Sequence, residues 1–259
     1  MDRKFLQLFD RNIRGKFSYL PSHSKQMSLQ CIENIVLIDS GLHSNMFNII
    51  YCNDAATHIS VKSALDYFNS RKLPFAFWIG FEGDPSWLEE ELLACGLITD
   101  ETEWAMLYDA DQQPSPVVQS DFDVRQVQDL AGVQDIIEVM NHILPIDEHL
   151  AIQSFYQQSA PTLISKDCSL TFFVGYENGK PTSLSSSFCD QGVASVFDVI
   201  VLPEMRGKGL GKIMTLRAMQ SAQEKGFNKC VLTATNDAKH LYHKLGFKDL
   251  KTMKVYHKP

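Results

Sequence analysis

The chain has 259 residues, 44% of them hydrophobic and 21% charged, with 14 glycines and 10 prolines. That composition supports a buried core and excludes a disordered, collagen-like or low-complexity chain. A formal net charge of −7 argues against a dedicated nucleic-acid binder. The six cysteines, at 31, 52, 95, 168, 189 and 230, form no CxxC pair and no Cys/His knuckle. Neither a disulfide scaffold nor a metal site is therefore expected. The first residues, MDRKFLQLFDRNIRGK, lack a signal-peptide pattern, and the longest apolar run, near 75–81, is too short for a bilayer. The expectation is a soluble, cytoplasmic protein without a membrane partner.

In chain order, residues 1–30 read as an amphipathic helix and a polar stretch. Strands are predicted over 33–39, 47–51, 75–81 and 103–108. Helices are predicted over 56–69 and 87–95, the second opened by Asp84-Pro85-Ser86 and closed by Gly96. DADQQPSPVVQSD, 109–121, has the composition of a linker. It divides the chain into domains 1–112 and 121–259 joined by 113–120. The second part begins with a strand over 122–127, then helices over 129–143 and 148–158. Strands at 170–176 and 183–188 flank ENGKP, a turn with Asn-Gly at its centre. A strand over 194–201, a helix over 209–225, a strand over 229–235, a helix over 238–245 and a strand over 251–257 complete it. This order indicates a mixed α/β sheet.

Charge is unevenly spread. Residues 203–259 hold 12 basic and 4 acidic side chains, whereas 1–202 hold 12 and 27. A basic segment of this kind is suited to an anion. Within it, the strand ending VIVLP runs into Arg206-Gly207-Lys208-Gly209-Leu210-Gly211-Lys212 and then directly into a helix. Closely spaced glycines allow a tight turn, and amides at a helix N-terminus favour phosphate. The stretch is not a Walker A loop, because Lys212 stands where the second glycine belongs. It is not a dinucleotide fingerprint either, because the spacing is G-x-G-x-G, Leu202–Arg206 intervene after the strand, and no acidic residue sits about 20 positions on at a strand end.

Arg206-x-x-Gly209-x-Gly211 does fit the [QR]-x-x-G-x-G/A loop of the GNAT acetyltransferases. A second element, Ala238, Leu241, Tyr242, Gly246 and Phe247, resembles that family's A-x-x-L-Y-x-x-x-G-F helix and turn, with Tyr242 lying 31 residues after Gly211. Residues from about 120 to the end thus resemble one GNAT domain. The resemblance implies a mixed, mostly antiparallel sheet flanked by helices. It implies transfer of an acetyl group from acetyl-CoA to an amine of a small molecule or peptide, with no metal.

By position, Val199, Ile200 and Val201 would pair with the pantetheine arm. The amides of Gly207, Lys208, Gly209, Leu210, Gly211 and Lys212, with Arg206, would hold the pyrophosphate. Tyr242 would protonate the leaving thiolate, since a phenol is still protonated at neutral pH. Asp198, the lone carboxylate in VFDVIV, is either the base or a structural hydrogen-bonder. The family often has Asn seven residues before the tyrosine. Here Thr235 takes that place and Asn236 follows, so either could contact the cofactor.

The first 110 residues (FNIIYCND, ALDYFNSRKLPFAFWIGFEGDPSWLEEELLACGL, WAMLYD) look like the front half of a bacterial tandem-GNAT subgroup. That likeness implies a smaller GNAT-like α/β domain without a phosphate loop, shaping the acceptor pocket or a homodimer interface. The acidic balance of 1–202 suggests a cationic acceptor such as a polyamine or aminoglycoside. His240 and His243, three apart on the last helix, read as solvated. A non-catalytic CoA-sensing module is the alternative to an enzyme.

Overall fold

The computed structural model describes residues 3–52, 56–81, 86–99, 102–113 and 120–259. The expected linker falls almost wholly on 114–119, and the Asp84-Pro85 helix start on 82–85, both outside the described residues. The elements in chain order are α1 (Arg3–Ser22), β1 (Ser28–Ile32), β2 (Ile35–Asp39), β3 (Ile49–Cys52), α2 (His58–Ser70), β4 (Ala76–Ile79), α3 (Ser86–Ala94) and β5 (Thr102–Asp109). They continue with β6 (Asp123–Gln126), α4 (Leu130–Ile143), α5 (His149–Leu163), β7 (Leu170–Glu177), β8 (Lys180–Asp190) and β9 (Val193–Val201). The last are α6 (Leu210–Glu224), β10 (Lys229–Ala234), α7 (Asn236–Lys244) and β11 (Lys248–His257).

Local chemistry explains most of these boundaries. Asp129 caps α4 by accepting from the Gly132 amide at 2.8 Å. Thr57 and Ser60 form a capping box on α2. Asn178 and Gly179, both at positive φ, make the turn between β7 and β8. Two expectations need correction. The polar stretch after α1 contains β1, which pairs antiparallel with β2. Helix α5 runs five residues past Gln158, because Pro161 lies so near its end that few backbone bonds are lost.

All eleven strands join one sheet, in the order β1-β2-β3-β4-β11-β5-β10-β9-β8-β7-β6. Its pairs are antiparallel except β3 with β4 and β9 with β10. Each half of the chain therefore contributes a run of antiparallel strands ending in one parallel pair. The halves also exchange strands. β5, from the first half, lies between β10 and β11 of the second. β11, from the second half, pairs with β4 of the first over Val255–Trp78, Tyr256–Phe77 and His257–Ala76.

Helices cover both faces. On one, α1, α4 and α5 pack over buried Phe9, Ile13, Ile136, Ile152 and Phe172. On the other, α6 and α7 cover Phe173, Val196, Leu232 and Phe247, and α2 and α3 cover Ile50, Phe68 and Phe77. Phe172 and Phe173 are neighbours on β7 yet belong to opposite cores, as strand alternation requires.

Candidate active site

The site begins where β9 leaves β10. The two strands pair at Cys230–Ala194 and Val231–Ser195, and the pairing ends there. Beyond it, Phe197–Val201 is only half-buried. On its other edge β9 remains bound to β8, but the register slips between Leu184 and Ser186, so Asp198 and Val199 together oppose one residue of β8. This is a β-bulge, and Asp198 is its strained residue, with φ of 54°. The bulge bends β9 away from β10 and opens a V-shaped gap. The corresponding pair in the first half, β3 and β4, stays paired from Ile49–Ala76 to Cys52–Ile79 and opens no such gap.

Just past β9, a single 3-10 turn over Pro203–Met205 leads into the glycine loop. Gly207 and Gly209 have φ of 79° and 78°, the left-handed region that a side chain disfavours. Gly209 is the residue at which α6 starts. The amides of Leu210, Gly211 and Lys212 lie in the first helical turn, where a helix supplies no carbonyl of its own. Arg206 is exposed and donates from Nε to the Val201 carbonyl at 3.2 Å. Lys208 is exposed and lies 3.6 Å from Glu177. Lys212 is also exposed. The loop thus presents orphan donors and three cations beside the open edge of β9.

Tyr242 lies on α7, buried in the core under α6 and α7, with its ring edge-on to Phe247 at 5.9 Å between centroids. Burial pushes its phenol up to about 12, and the adjacent Thr215 hydroxyl pulls weakly the other way. Thr235 caps α7, accepting from the Ala238 amide. Asn236 accepts from the Trp104 indole of β5 at 2.7 Å. His243 bonds Asp249 at 2.7 Å.

Asp198 reaches the opposite face. It accepts from the Ser186 hydroxyl at 2.6 Å and from Lys16 of α1 at 3.3 Å. Its partners are therefore side chains of β8 and α1. The Lys16 ammonium also sits 4.7 Å from the Phe197 ring centre. Both charges line a cavity of about 430 Å³ between α1, α4, α5 and the sheet. Ile200 of β9 and Thr233 of β10, on the two sides of the gap, line it as well. The cavity thus lies on the α1 face and reaches Ile200 and Thr233, whereas the loop leads into α6 and Tyr242 belongs to the core under α6 and α7.

The sequence alone groups Asp198, the loop and Tyr242 around one strand end and carries no sign of Lys16, Ser186 or the cavity. Lys16 carries no local signal, since it is one polar position of an amphipathic helix and meets Asp198 only through a contact 182 residues apart.

Comparisons with known proteins bear on the fold and on the second half of the chain. Residues 136–247 match the model of the Acetyltransferase (GNAT) family. A 52-residue stretch is 46% identical to the uncharacterized N-acetyltransferase YjgM of Escherichia coli K12, covering 19% of this chain and 31% of that protein. The matched stretch thus spans less than a third of that relative. The whole fold is similar to a GCN5-related N-acetyltransferase from Kribbella flavida, with a TM-score of 0.70, 15% identity, and 96% and 95% of the two chains covered. It is also similar to a tandem GNAT protein from the clavulanic acid biosynthesis pathway, with a TM-score of 0.59, 11% identity, and 90% and 83% covered. Over residues 136–247 the chain is thus similar to the acetyltransferases of the GNAT family.

Proposed function

We propose that the protein transfers an acetyl group from acetyl-CoA to a primary amine by direct attack on the thioester. The observation that carries this reading is the gap between β9 and β10, set between the glycine loop that starts α6 on one side and a cavity of about 430 Å³ on the other. The donor's pyrophosphate lies against the amides of Gly207–Lys212, with Arg206, Lys208 and Lys212 around it. Its pantetheine arm pairs along Val199–Val201, where Arg206 gives up its bond to the Val201 carbonyl. Thr235 and Asn236, at the start of α7, flank the arm. The division into 1–112 and 121–259 is a tandem arrangement in which the first half, with its closed parallel pair, supplies walls rather than a cofactor site.

The amine enters from the cavity. Its neutral nitrogen attacks the carbonyl carbon, a C–N bond forms, and the carbonyl electrons move onto oxygen. A β9 amide freed by the bulge stabilises that oxyanion. When the intermediate collapses, the C–S bond breaks and the sulfur leaves with the electron pair. Tyr242 gives it a proton. Its raised pKa keeps the phenol loaded throughout the neutral range. Each Asp198 oxygen retains lone-pair capacity beyond its bond to Ser186 or Lys16. It orients the amine and takes the proton that the nitrogen must lose.

Titrating acetyl-CoA against the thermal midpoint tests the donor site. The midpoint rises with ligand, and Arg206→Glu removes the rise. An unchanged midpoint of the unmodified protein at millimolar acetyl-CoA overturns the reading. Release of free thiol in the presence of an amine panel tests turnover.

A further inference from the structure

The cavity on the α1 face is the part of the molecule that would meet the acceptor, and its walls define a chemistry. Its volume, about 430 Å³, lies within the roughly 300–1,000 Å³ of ordinary small-ligand sites. Aromatic rings dominate it, among them Phe17, Trp78, Phe155 and Phe197, with Met140 and Ile143 of α4 beside them. Among the described residues that line it the only carboxylate is Asp198, and Lys16 already lies 3.3 Å from it. The indole N–H of Trp78 is buried without a hydrogen-bond partner among the described residues.

From this we infer that the acceptor is a monoamine on a bulky apolar body, aromatic or branched-aliphatic, and not a polyamine or aminoglycoside. The inference rests on the acetyl-transfer reading above and narrows it. A polycation needs a carboxylate for each charge, and desolvating an unmatched ammonium against aromatic walls is strongly unfavourable. This cavity offers one carboxylate, placed at the bulge beside the gap. One ammonium fits there, sharing Asp198 with Lys16 until it loses its proton, and the remainder of the molecule buries apolar surface. The acidic excess of residues 1–202 does not extend to these walls. A long acyl chain of the donor would also suit the rings, but it would cover the Asp198–Lys16 pair with hydrocarbon and offer it no polar partner.

The experiment uses the full chain with acetyl-CoA and compares 2-phenylethylamine with spermidine and kanamycin by thiol release. The expected kcat/KM for 2-phenylethylamine exceeds that for either polycation at least tenfold. Ile143→Glu, which puts a second carboxylate in the wall, narrows or reverses that ratio while the acetyl-CoA midpoint shift persists. If Ile143→Glu does not fold, Met140→Glu makes the same test. Three results overturn the inference and leave acetyl transfer standing, provided acetyl-CoA still raises the midpoint. They are faster turnover of spermidine or kanamycin, no turnover of 2-phenylethylamine, and a preference for octanoyl-CoA over acetyl-CoA as donor. Loss of the acetyl-CoA shift itself in the unmodified protein instead removes the parent reading.

Discussion

Asp198 combines an unfavourable backbone with two polar partners, and its substitutions separate these contributions. Asn tolerates a φ of 54° better than most residues and can still accept from Ser186. Asp198→Asn therefore keeps the bulge and removes only the charge facing Lys16. Asp198→Ala keeps the strain and strands both the Ser186 hydroxyl and the Lys16 ammonium, at about 1–3 kcal/mol. Urea unfolding should rank the wild type first, Asp198→Asn second and Asp198→Ala last; equal midpoints for the two variants would refute the contribution of the Ser186 bond. Tyr242 makes a different prediction. Tyr242→Phe keeps the ring against Phe247 and removes the proton donor, so kcat falls roughly 10²–10⁴-fold while the acetyl-CoA shift remains. Its pH behaviour follows from burial. The phenol ionises near 10 when unfolded and at about 12 when folded. The folded chain therefore holds an extra proton between those values, and the Tyr242 contribution to stability is complete below pH 10 and lost as pH rises toward 12. A thermal midpoint that falls less steeply from pH 10 to 11 in Tyr242→Phe than in the wild type checks the sign.

At the scale of elements, the loop from β9 into α6 shows how two glycines of one motif serve different purposes. Gly209 starts α6 at a positive φ, and alanine there is strained although no atom stands within 4 Å of the added carbon. Gly211 has an ordinary helical backbone, and an added carbon would lie 3.4 Å from Leu241, an ordinary contact. Gly209→Ala should therefore weaken acetyl-CoA binding at least tenfold by moving the first-turn amides, whereas Gly211→Ala should stay within a few-fold. Calorimetric titration of both variants checks this, and equal losses would show that bulk rather than backbone angle governs the loop. The asymmetry was legible in the sequence as far as the motif itself, because turn glycines and a helix start are local chemistry. The bulge was not. Nothing in VFDVIV sets Asp198 apart from an ordinary buried carboxylate, since the slipped register depends on β8, and the bond to Ser186 depends on a strand twelve residues away. Strand β1 was missed for a related reason. Its residues are mostly exposed, and only pairing with β2 makes SLQCI a strand.

The whole molecule is more continuous than its sequence suggests. A proline-rich linker marks two halves, and the cavity and the exchanged strands could not be read because both join residues far apart in the chain. β5 brings buried Ala105, Met106 and Tyr108 into the second half, pairing with β10 from Lys229–Asp109 to Ala234–Trp104. Asp109 also anchors Lys229 at 2.9 Å, and Trp104 bonds Asn236. Residues 121–259 expressed alone would leave β10 with an open edge and β11 with neither β5 nor β4 beside it. Loss of Met106 and Tyr108 removes about 1.5–3 kcal/mol of burial each, against a usual total of ~5–15 kcal/mol for a domain. An unpaired hydrophobic strand edge also invites aggregation. The truncated half should therefore be insoluble or melt without cooperativity. Co-expression with residues 1–112 should restore a complex that binds acetyl-CoA, because β5 and β11 can still exchange between separate chains. Circular dichroism melts of the half and of the complex decide the matter. A cooperative transition of 121–259 alone near the full-length midpoint would mean that β11 can satisfy the β10 edge by itself, and that strand exchange is not what holds the two halves together.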